Sequence, residues 1–193
     1  MRPDAITIVI PCMGGDCETA QELMADLPKW PTWVIRDLPY GQAIKHGLSR
    51  AQTPWALTMD GDGQHTPDDV RSLYEAWRGP KAALHIGYRH SRPVGPRSAS
   101  SRLLNLAASI LAGVHVPDFG SGLRIMRKEL VLPWMEKLPD GFDFNAAVTM
   151  KAMVSGAQVS WSPIPDRPRT RGRSHVRWVD GIKTLGTLVR TSR

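Results

Sequence analysis

Short apolar runs of strand length alternate along this chain with stretches whose apolar residues recur at helical spacing. Ile6-Thr7-Ile8-Val9-Ile10 is almost wholly β-branched and runs up to Pro11, which predicts a buried strand. Further strands are predicted at Trp33 to Ile35, Trp55 to Met59, Ala83 to Tyr88, Leu123 to Met126 and Val159 to Ile164. Between them, Asp16 can cap a helix whose inner face is Ala20, Leu23, Met24 and Leu27. Gly41 to Gln52 presents Ile44, Gly47, Leu48 and Ala51 on one side. Thr66-Pro67-Asp68-Asp69 is a strong helix start, with a capping hydroxyl, proline at the first position and two acids. Val70, Leu73, Tyr74 and Trp77 follow it at helical spacing. Ser98 to Ala112 (Leu103, Leu106, Ala107, Ile110, Leu111) and Phe142 to Ser155 complete the helices, and Arg89 to Ala99 reads as a mobile loop. This alternation predicts one α/β domain, a mostly parallel central sheet with helices on both faces.

Composition narrows the class. At 193 residues and 41% hydrophobic the chain can bury a core, which excludes disorder. It contains no run of 18 apolar residues, so no segment spans a membrane as a helix. The N-terminal apolar stretch is too short for a signal peptide. Two cysteines exclude a disulfide scaffold and offer no zinc spacing; Cys12 and Cys17 read as buried thiols in a reduced, cytoplasmic protein. The tryptophans 30, 33, 55, 77, 134 and 161 read as core or interface residues. Charge is unevenly placed. Residues 1–166 hold 17 charges of each sign, whereas residues 167–193 hold eight basic residues and one acid, which accounts for the whole net charge of +7. That asymmetry points to an anionic partner.

The sharpest chemical feature is Met59-Asp60-Gly61-Asp62-Gly63-Gln64-His65, placed directly after a strand and before a helix. Ligands of open α/β sheets bind beyond the carboxyl ends of strands. Two carboxylates two residues apart can converge there on a hard divalent ion, with Gln64 adding an amide oxygen. The same residues also suit a solvated turn. An EF-hand is excluded by His65 and Arg71 at its glycine and glutamate positions, and the chain has no phosphate loop, H-E-x-x-H or G-x-S-x-G. Asp118-Phe119-Gly120-Ser121-Gly122-Leu123-Arg124 puts small residues between an acid and a base, and Arg169-Thr170-Arg171-Gly172-Arg173-Ser174 offers guanidinium forks suited to phosphate.

Taken in order, Gly41-Gln42-Ala43-Ile44-Lys45-His46-Gly47, the 59–65 turn, Gly87-Tyr88-Arg89, the 118–124 segment and Arg169-x-x-Gly172-x-Ser174 resemble glycosyltransferase family 2. The resemblance runs from about Gly41 to about Leu188 and is strongest to the polyprenyl-phosphate (dolichyl-phosphate) mannosyl- and glucosyltransferases. It implies a GT-A fold over residues 1–175 and a metal, Mg or Mn, held by Asp60, Asp62 and Gln64 against the donor diphosphate. It places Pro11, Asp37, Gly41, Asp60 and Arg169 at the nucleotide-sugar, and Arg89, Arg97, Ser101 and Ser174 at the acceptor phosphate. It puts Asp118 and Arg124 in the sugar pocket as catalytic residues. The start of the chain departs from the family: an Asn-Glu pair and an Asp-Asp-Gly-Ser segment are missing, and a strand-helix unit is trimmed. Asp37, with Asp16 behind it, is the surviving candidate for the base and ribose contact.

The implied reaction is inverting attack on the anomeric carbon of a nucleotide-sugar (GDP-mannose or UDP-hexose), with a nucleoside diphosphate leaving. A polyprenyl phosphate acceptor is already ionised and needs no strong base; a hydroxyl acceptor would need one, Asp118 or Asp143. In residues 176–193, Trp178, Ile182, Leu185 and Val189 fall at helical spacing among Arg177, Lys183 and Arg190. A basic amphipathic helix of this kind suits peripheral attachment to the inner face of an anionic membrane. The basic tail fits nucleic acid in charge, but it lacks interleaved aromatics beyond Trp178 and a recognised DNA-binding module, which disfavours that partner. Two other readings stay open: a family 2 transferase for a glycan, small molecule or modified DNA, and a non-catalytic nucleotide-binding relative.

Overall fold

The computed structural model describes residues 5–78, 82–90, 96–169 and 178–192. The elements run β1 (Ile6–Cys12), α1 (Asp16–Met24), β2 (Thr32–Arg36), α2 (Tyr40–Arg50), β3 (Trp55–Thr58) and α3 (Pro67–Arg78). They continue as β4 (Leu84–Arg89), α4 (Pro96–Ala112), β5 (Arg124–Arg127), the short α5 (Lys128–Val131) with a 3-10 turn behind it, α6 (Phe144–Val154), β6 (Val159–Ile164) and α7 (Trp178–Thr191).

Six strands form one sheet in the order β2-β1-β3-β5-β4-β6. Pairs β1–β2, β1–β3 and β4–β6 are parallel, and β5 runs antiparallel between β3 and β4. Side chains alternate across the sheet and divide the core in two. On one face, Ile6, Ile8, Ile10, Leu57 and Ile125 pack against Ala20 of α1 and Val70, Leu73 and Trp77 of α3. On the other, Ala56, Leu84, Ile86 and Met126 meet Ile44 and Leu48 of α2 and Phe144, Ala147 and Val148 of α6. A third cluster ties α4, α6 and α7 together through Ala108, Ala146, Met150 and Leu188. Gly47 lets α2 lie against β1, since a Cβ there would overlap Val9.

The strand directions explain why distant motifs meet. Because β5 is antiparallel to both neighbours, β1, β2, β3, β4 and β6 all end at one edge, and β5 begins there. The 59–65 turn, Arg89, the 118–124 segment and residues 165–169 therefore share that edge.

Local expectations hold with exceptions. Thr66 and Asp69 form a reciprocal cap on α3, the Thr66 N–H donating to Asp69 Oδ2 at 2.8 Å and the Asp69 N–H to Thr66 Oγ1 at 3.3 Å. Asp16 does not cap α1: Gly15 holds the N-cap position, and the Asp16 carboxylate is engaged by Arg169 instead. Of the loop expected at Arg89 to Ala99, Arg89 closes β4 and residues 96–99 open α4, which starts at Pro96, a residue suited to a first helical turn; residues 91–95 lie outside the described residues. Cys12 and Cys17 are not thiols but a disulfide, their Cα atoms 5.0 Å apart; β1 ends and α1 begins within one tight turn, which brings the pair together. Trp33 is 38% exposed, with the Arg50 guanidinium over its ring, while Trp55 and Trp77 lie in the core.

Candidate active site

The acidic turn is held by four elements. Asp60, just past β3, is half-buried; Asp62 is 3% exposed. The Tyr40 hydroxyl, at the start of α2, donates to Asp60 Oδ1 at 3.0 Å and accepts from Asn145 Nδ2 at 2.9 Å. Phe142 stacks on the Tyr40 ring at 5.4 Å, fixing its direction. Asp62 Oδ1 accepts the Gln64 N–H at 3.0 Å, closing the turn on itself. Gln64 Nε2 donates to the Arg167 carbonyl at 2.7 Å, anchoring the segment after β6. Gly122 forms the opposite wall: a Cβ there would run into the Asp60 carboxylate.

Arg169 spans the site. Its Nη2 lies 2.9 Å from Asp62 Oδ2 and its Nη1 2.9 Å from Asp16 Oδ2. The electrostatics explain the need for it. Burial raises the pKa of Asp60, against the opposing Tyr40 hydrogen bond and the charges of Arg89, Arg124 and Arg169. Burial raises Asp62 too, and the neighbouring Asp60 charge adds to the rise. Two desolvated carboxylates that feel one another call for a cation. His65 does not supply it: burial first, then Arg89, pushes its pKa down to about 4, so the ring is neutral near pH 7. Its Nε2 is 3.9 Å from Asp60 Oδ2, and its buried Nδ1 has no hydrogen-bond partner among the described residues.

Hard carboxylate oxygens, mutual repulsion and an amide beside them fit Mg or Mn. Among the described residues no three His, Cys, Asp or Glu side chains come together as a metal cluster.

The remaining expected site residues divide. Arg89, at the end of β4, grips Asp118 with Nε–Oδ2 at 2.8 Å and Nη2–Oδ1 at 3.2 Å, and both stand at the site edge. Asp37 is exposed at the end of β2, with φ of 55° and its N–H on the Cys12 carbonyl at 3.1 Å. Ser101 is half-buried on α4, Arg97 lies on the first turn of that helix, and Ser174 lies outside the described residues.

Three placements are corrected. Arg124 is 0% exposed and does not line a pocket. Its Nε donates to the Ser121 carbonyl at 3.0 Å, Nη1 to the Asn145 carbonyl and Thr149 Oγ1, each at 3.2 Å, and Nη2 to the Phe119 carbonyl at 3.0 Å and again to Ser121. Burial lowers its pKa to about 10, which leaves it charged at pH 7, and it serves as the internal clamp of the 118–124 loop. Gly41 is a packing residue: its amide donates to the Asp140 carbonyl at 2.8 Å, and a Cβ would come within 2.9 Å of Phe144 Cβ. Pro11 is buried inside β1, where it is paired with Ile35. Asp143, considered as a base, accepts from Thr187 Oγ1 at 2.7 Å and joins α6 to α7. Sequence reasoning missed Tyr40 and Asn145. Tyr40 directly precedes the Gly41 motif in the sequence, but only the fold aims it at Asp60.

An α/β sheet with an acidic turn at its carboxyl edge, faced by a late arginine, is the arrangement of the GT-A fold. The family profile described as glycosyl transferase family 2 matches residues 35–152, more than half of the chain, and the chain belongs to that family. It is 29% identical over 100 residues to the undecaprenyl-phosphate 4-deoxy-4-formamido-L-arabinose transferase of Aeromonas hydrophila, covering 51% of this chain and 31% of that protein. It is 30% identical over 96 residues to the dodecaprenyl-phosphate galacturonate synthase of Rhizobium johnstonii, covering 48% of this chain and 28% of that one. The chain thus spans about a third of the length of the curated relatives it matches. In fold it is similar to glucosyl-3-phosphoglycerate synthase from Mycobacterium tuberculosis, solved with Mn2+, UDP and phosphoglyceric acid (TM-score 0.73, 14% identity, 97% of this chain and 78% of that one). Mannosyl-3-phosphoglycerate synthase from Rubrobacter xylanophilus also shares the fold (TM-score 0.64, 14% identity, 97% and 72%).

Proposed function

We propose that the chain transfers a sugar, with inversion, from a nucleotide-sugar (GDP-mannose or UDP-hexose) to a polyprenyl phosphate. An acceptor phosphate oxygen forms the new bond to the anomeric carbon, and the nucleoside diphosphate leaves with the electron pair of the bond that breaks. Asp60, Asp62 and the amide oxygen of Gln64 would hold Mg or Mn. Bound there, a divalent ion neutralises charge developing on the leaving diphosphate. Arg169 turns from Asp62 and Asp16 to the same diphosphate, exchanging carboxylate for phosphate oxygens of the same geometry. Asp37 takes the ribose side. Arg89, Arg97, Ser101 and Ser174 receive the acceptor phosphate, and Asp118 holds Arg89 extended at the site edge.

The observation that carries this reading is the state of the two candidate bases. Asp118 is bound two-fold by Arg89 and Asp143 by Thr187, so the acceptor should arrive already ionised, as a phosphate does. The curated relatives, named for undecaprenyl and dodecaprenyl phosphates, support a lipid acceptor. Peripheral contact of α7 with the inner face of an anionic membrane completes the reading; no described helix is long and apolar enough to cross one.

Purified protein given a labelled nucleotide-sugar and a short polyprenyl phosphate should yield a chloroform-soluble product only with divalent metal present. Absence of product with every common donor, or label that stays in water, would overturn the assignment.

A further inference from the structure

Asparagine is a poor residue for a helix interior, because its amide competes for backbone hydrogen bonds. Asn105 nevertheless lies well inside α4, half-buried. Its amide has two partners, and both lie beyond the helix. Nδ2 donates to the Pro117 carbonyl at 2.7 Å, and Oδ1 accepts the Phe119 N–H at 3.4 Å. One side chain thus holds the backbone immediately before and immediately after Asp118. Turning the amide over would set N–H against N–H and carbonyl against carbonyl, so the pattern fixes which end faces which residue. One turn further along α4, Ser109 Oγ accepts the Val116 N–H at 2.9 Å and donates to the Asn105 carbonyl at 2.8 Å. The 116–119 segment hangs from α4 at two points.

The segment carries the carboxylate that sets Arg89. Asp118 is buried, and its Oδ1 accepts the Gly120 N–H at 3.2 Å, so its own loop orients it. It takes Arg89 on Nε and Nη2, which turns Nη1 away from the carboxylate. A guanidinium held along one edge has a single orientation to offer a phosphate. Ser101, Asn105 and Ser109 recur every four residues, the spacing of neighbours on a helix surface, and Arg97 continues that register toward the start of α4. The acceptor candidates and the anchors of the Asp118 loop therefore follow one another along one helix.

We infer that Asn105 is a positioning residue of the acceptor site: it holds Asp118, and through Asp118 the Arg89 guanidinium, in a fixed relation to the helix that carries Arg97 and Ser101. The inference rests on the acceptor-phosphate reading of those three residues. A phosphate gripped from β4 and α4 at once needs the two elements in register, and the Asn105 amide ties one to the other. Asn105 acts through Asp118 and not on the substrate itself.

The test follows transfer to farnesyl phosphate, a short acceptor, and its binding by calorimetry. Asn105→Ala should raise the acceptor KM and Kd roughly ten-fold, about what one or two neutral hydrogen bonds contribute to affinity, and should leave binding of UDP or GDP with Mn unchanged. Ser109→Ala frees the Val116 N–H but leaves both flanks of Asp118 tied, so it should lower the melting temperature without raising the acceptor KM. Adding Asn105→Ala to Arg89→Ala should weaken farnesyl phosphate binding no further, because Asn105 works only through that arginine. Thermal melts check folding, and Asn105→Gln, the same amide displaced by one methylene, stands in if alanine does not fold and should show the same selective rise. The inference is overturned if the Asn105 and Arg89 effects multiply, if Ser109→Ala raises the acceptor KM as much as Asn105→Ala, or if nucleotide binding falls in step. A wild type that neither binds nor glycosylates farnesyl phosphate refutes the acceptor reading and this inference with it. A wild type that binds it as tightly as Asn105→Ala does refutes the role of Asn105 alone.

Discussion

Gly122 is where a single methyl group tests the site. Its φ lies outside the left-handed region, so alanine fits the backbone without strain. The added Cβ would meet Oδ1, Cγ and Oδ2 of Asp60 well inside the 3.0 Å that real Cβ atoms essentially never breach. Ordinary contact resumes at 3.4 Å, so the carboxylate must retreat by roughly 1 Å, a displacement that can cost about 100-fold in rate at a reacting centre. Tyr40 bonds Oδ1 from the other side and resists that retreat. The overlap should also cost about 1–3 kcal/mol of stability, or roughly 2–10 °C in melting temperature. Calorimetry with Mn and UDP or GDP, alongside a thermal melt and turnover of labelled donor, separates the effects. Gly122→Ala should stay folded, bind the metal–nucleotide pair much more weakly and lose most turnover. Wild-type metal affinity and rate in that variant would show that Asp60 is not a ligand in the orientation described.

Three further outcomes are expected. Tyr40→Phe removes the hydrogen bond to Asp60, worth about 1 kcal/mol, and should weaken metal-dependent donor binding roughly five-fold, while the Asn145 amide it orphans should cost about 1–3 kcal/mol of stability; an unchanged affinity would deny Tyr40 its positioning role. Arg124→Met leaves the carbonyls of Phe119, Ser121 and Asn145 without that donor and should cost on the order of 3 kcal/mol. Arg124→Lys should not restore it, because one ammonium nitrogen cannot reach acceptors spread around Nε, Nη1 and Nη2, and a wild-type melt in either variant would refute the clamp. His85, bonded to Ser160 and Ser162 on β6, has its pKa lowered by burial from 6.5 to about 4. Protonation therefore favours the unfolded chain: the contribution is complete above about pH 6.5 and shrinks as pH falls toward 4, by about 2 kcal/mol at pH 5. Melts at pH 7 and 5 should differ by less in His85→Asn, and an equal difference would refute that source.

Much of this was legible before any coordinates. The six strands and all the longer helices follow the apolar periodicity, since each buries one stripe or one run against the sheet. The acidic turn was legible because a strand end, two carboxylates and a helix start occur within a dozen residues. Strand direction was not, because apolar period carries no polarity, and the reversal of β5 is what brings Gly122 against Asp60. Arg124 was misread for a related reason: a guanidinium beside small residues has the same local sequence whether it faces a ligand or backbone carbonyls. Gly41 likewise marks close approach, but of Asp140 and Phe144. The Cys12–Cys17 pair was hidden because a four-residue spacing says nothing of the turn that closes it.

Arg169 bridges Asp16, 153 positions away, to Asp62 of the acidic turn. On a ribosome the acidic turn emerges 107 residues ahead of the arginine that balances it. The sheet strands that flank the turn can assemble in that interval while its carboxylates still repel each other. The nascent protein therefore completes the strands of its sheet before the residue that balances its acidic turn, and a product ending short of residue 169 would carry every strand with the turn unbalanced.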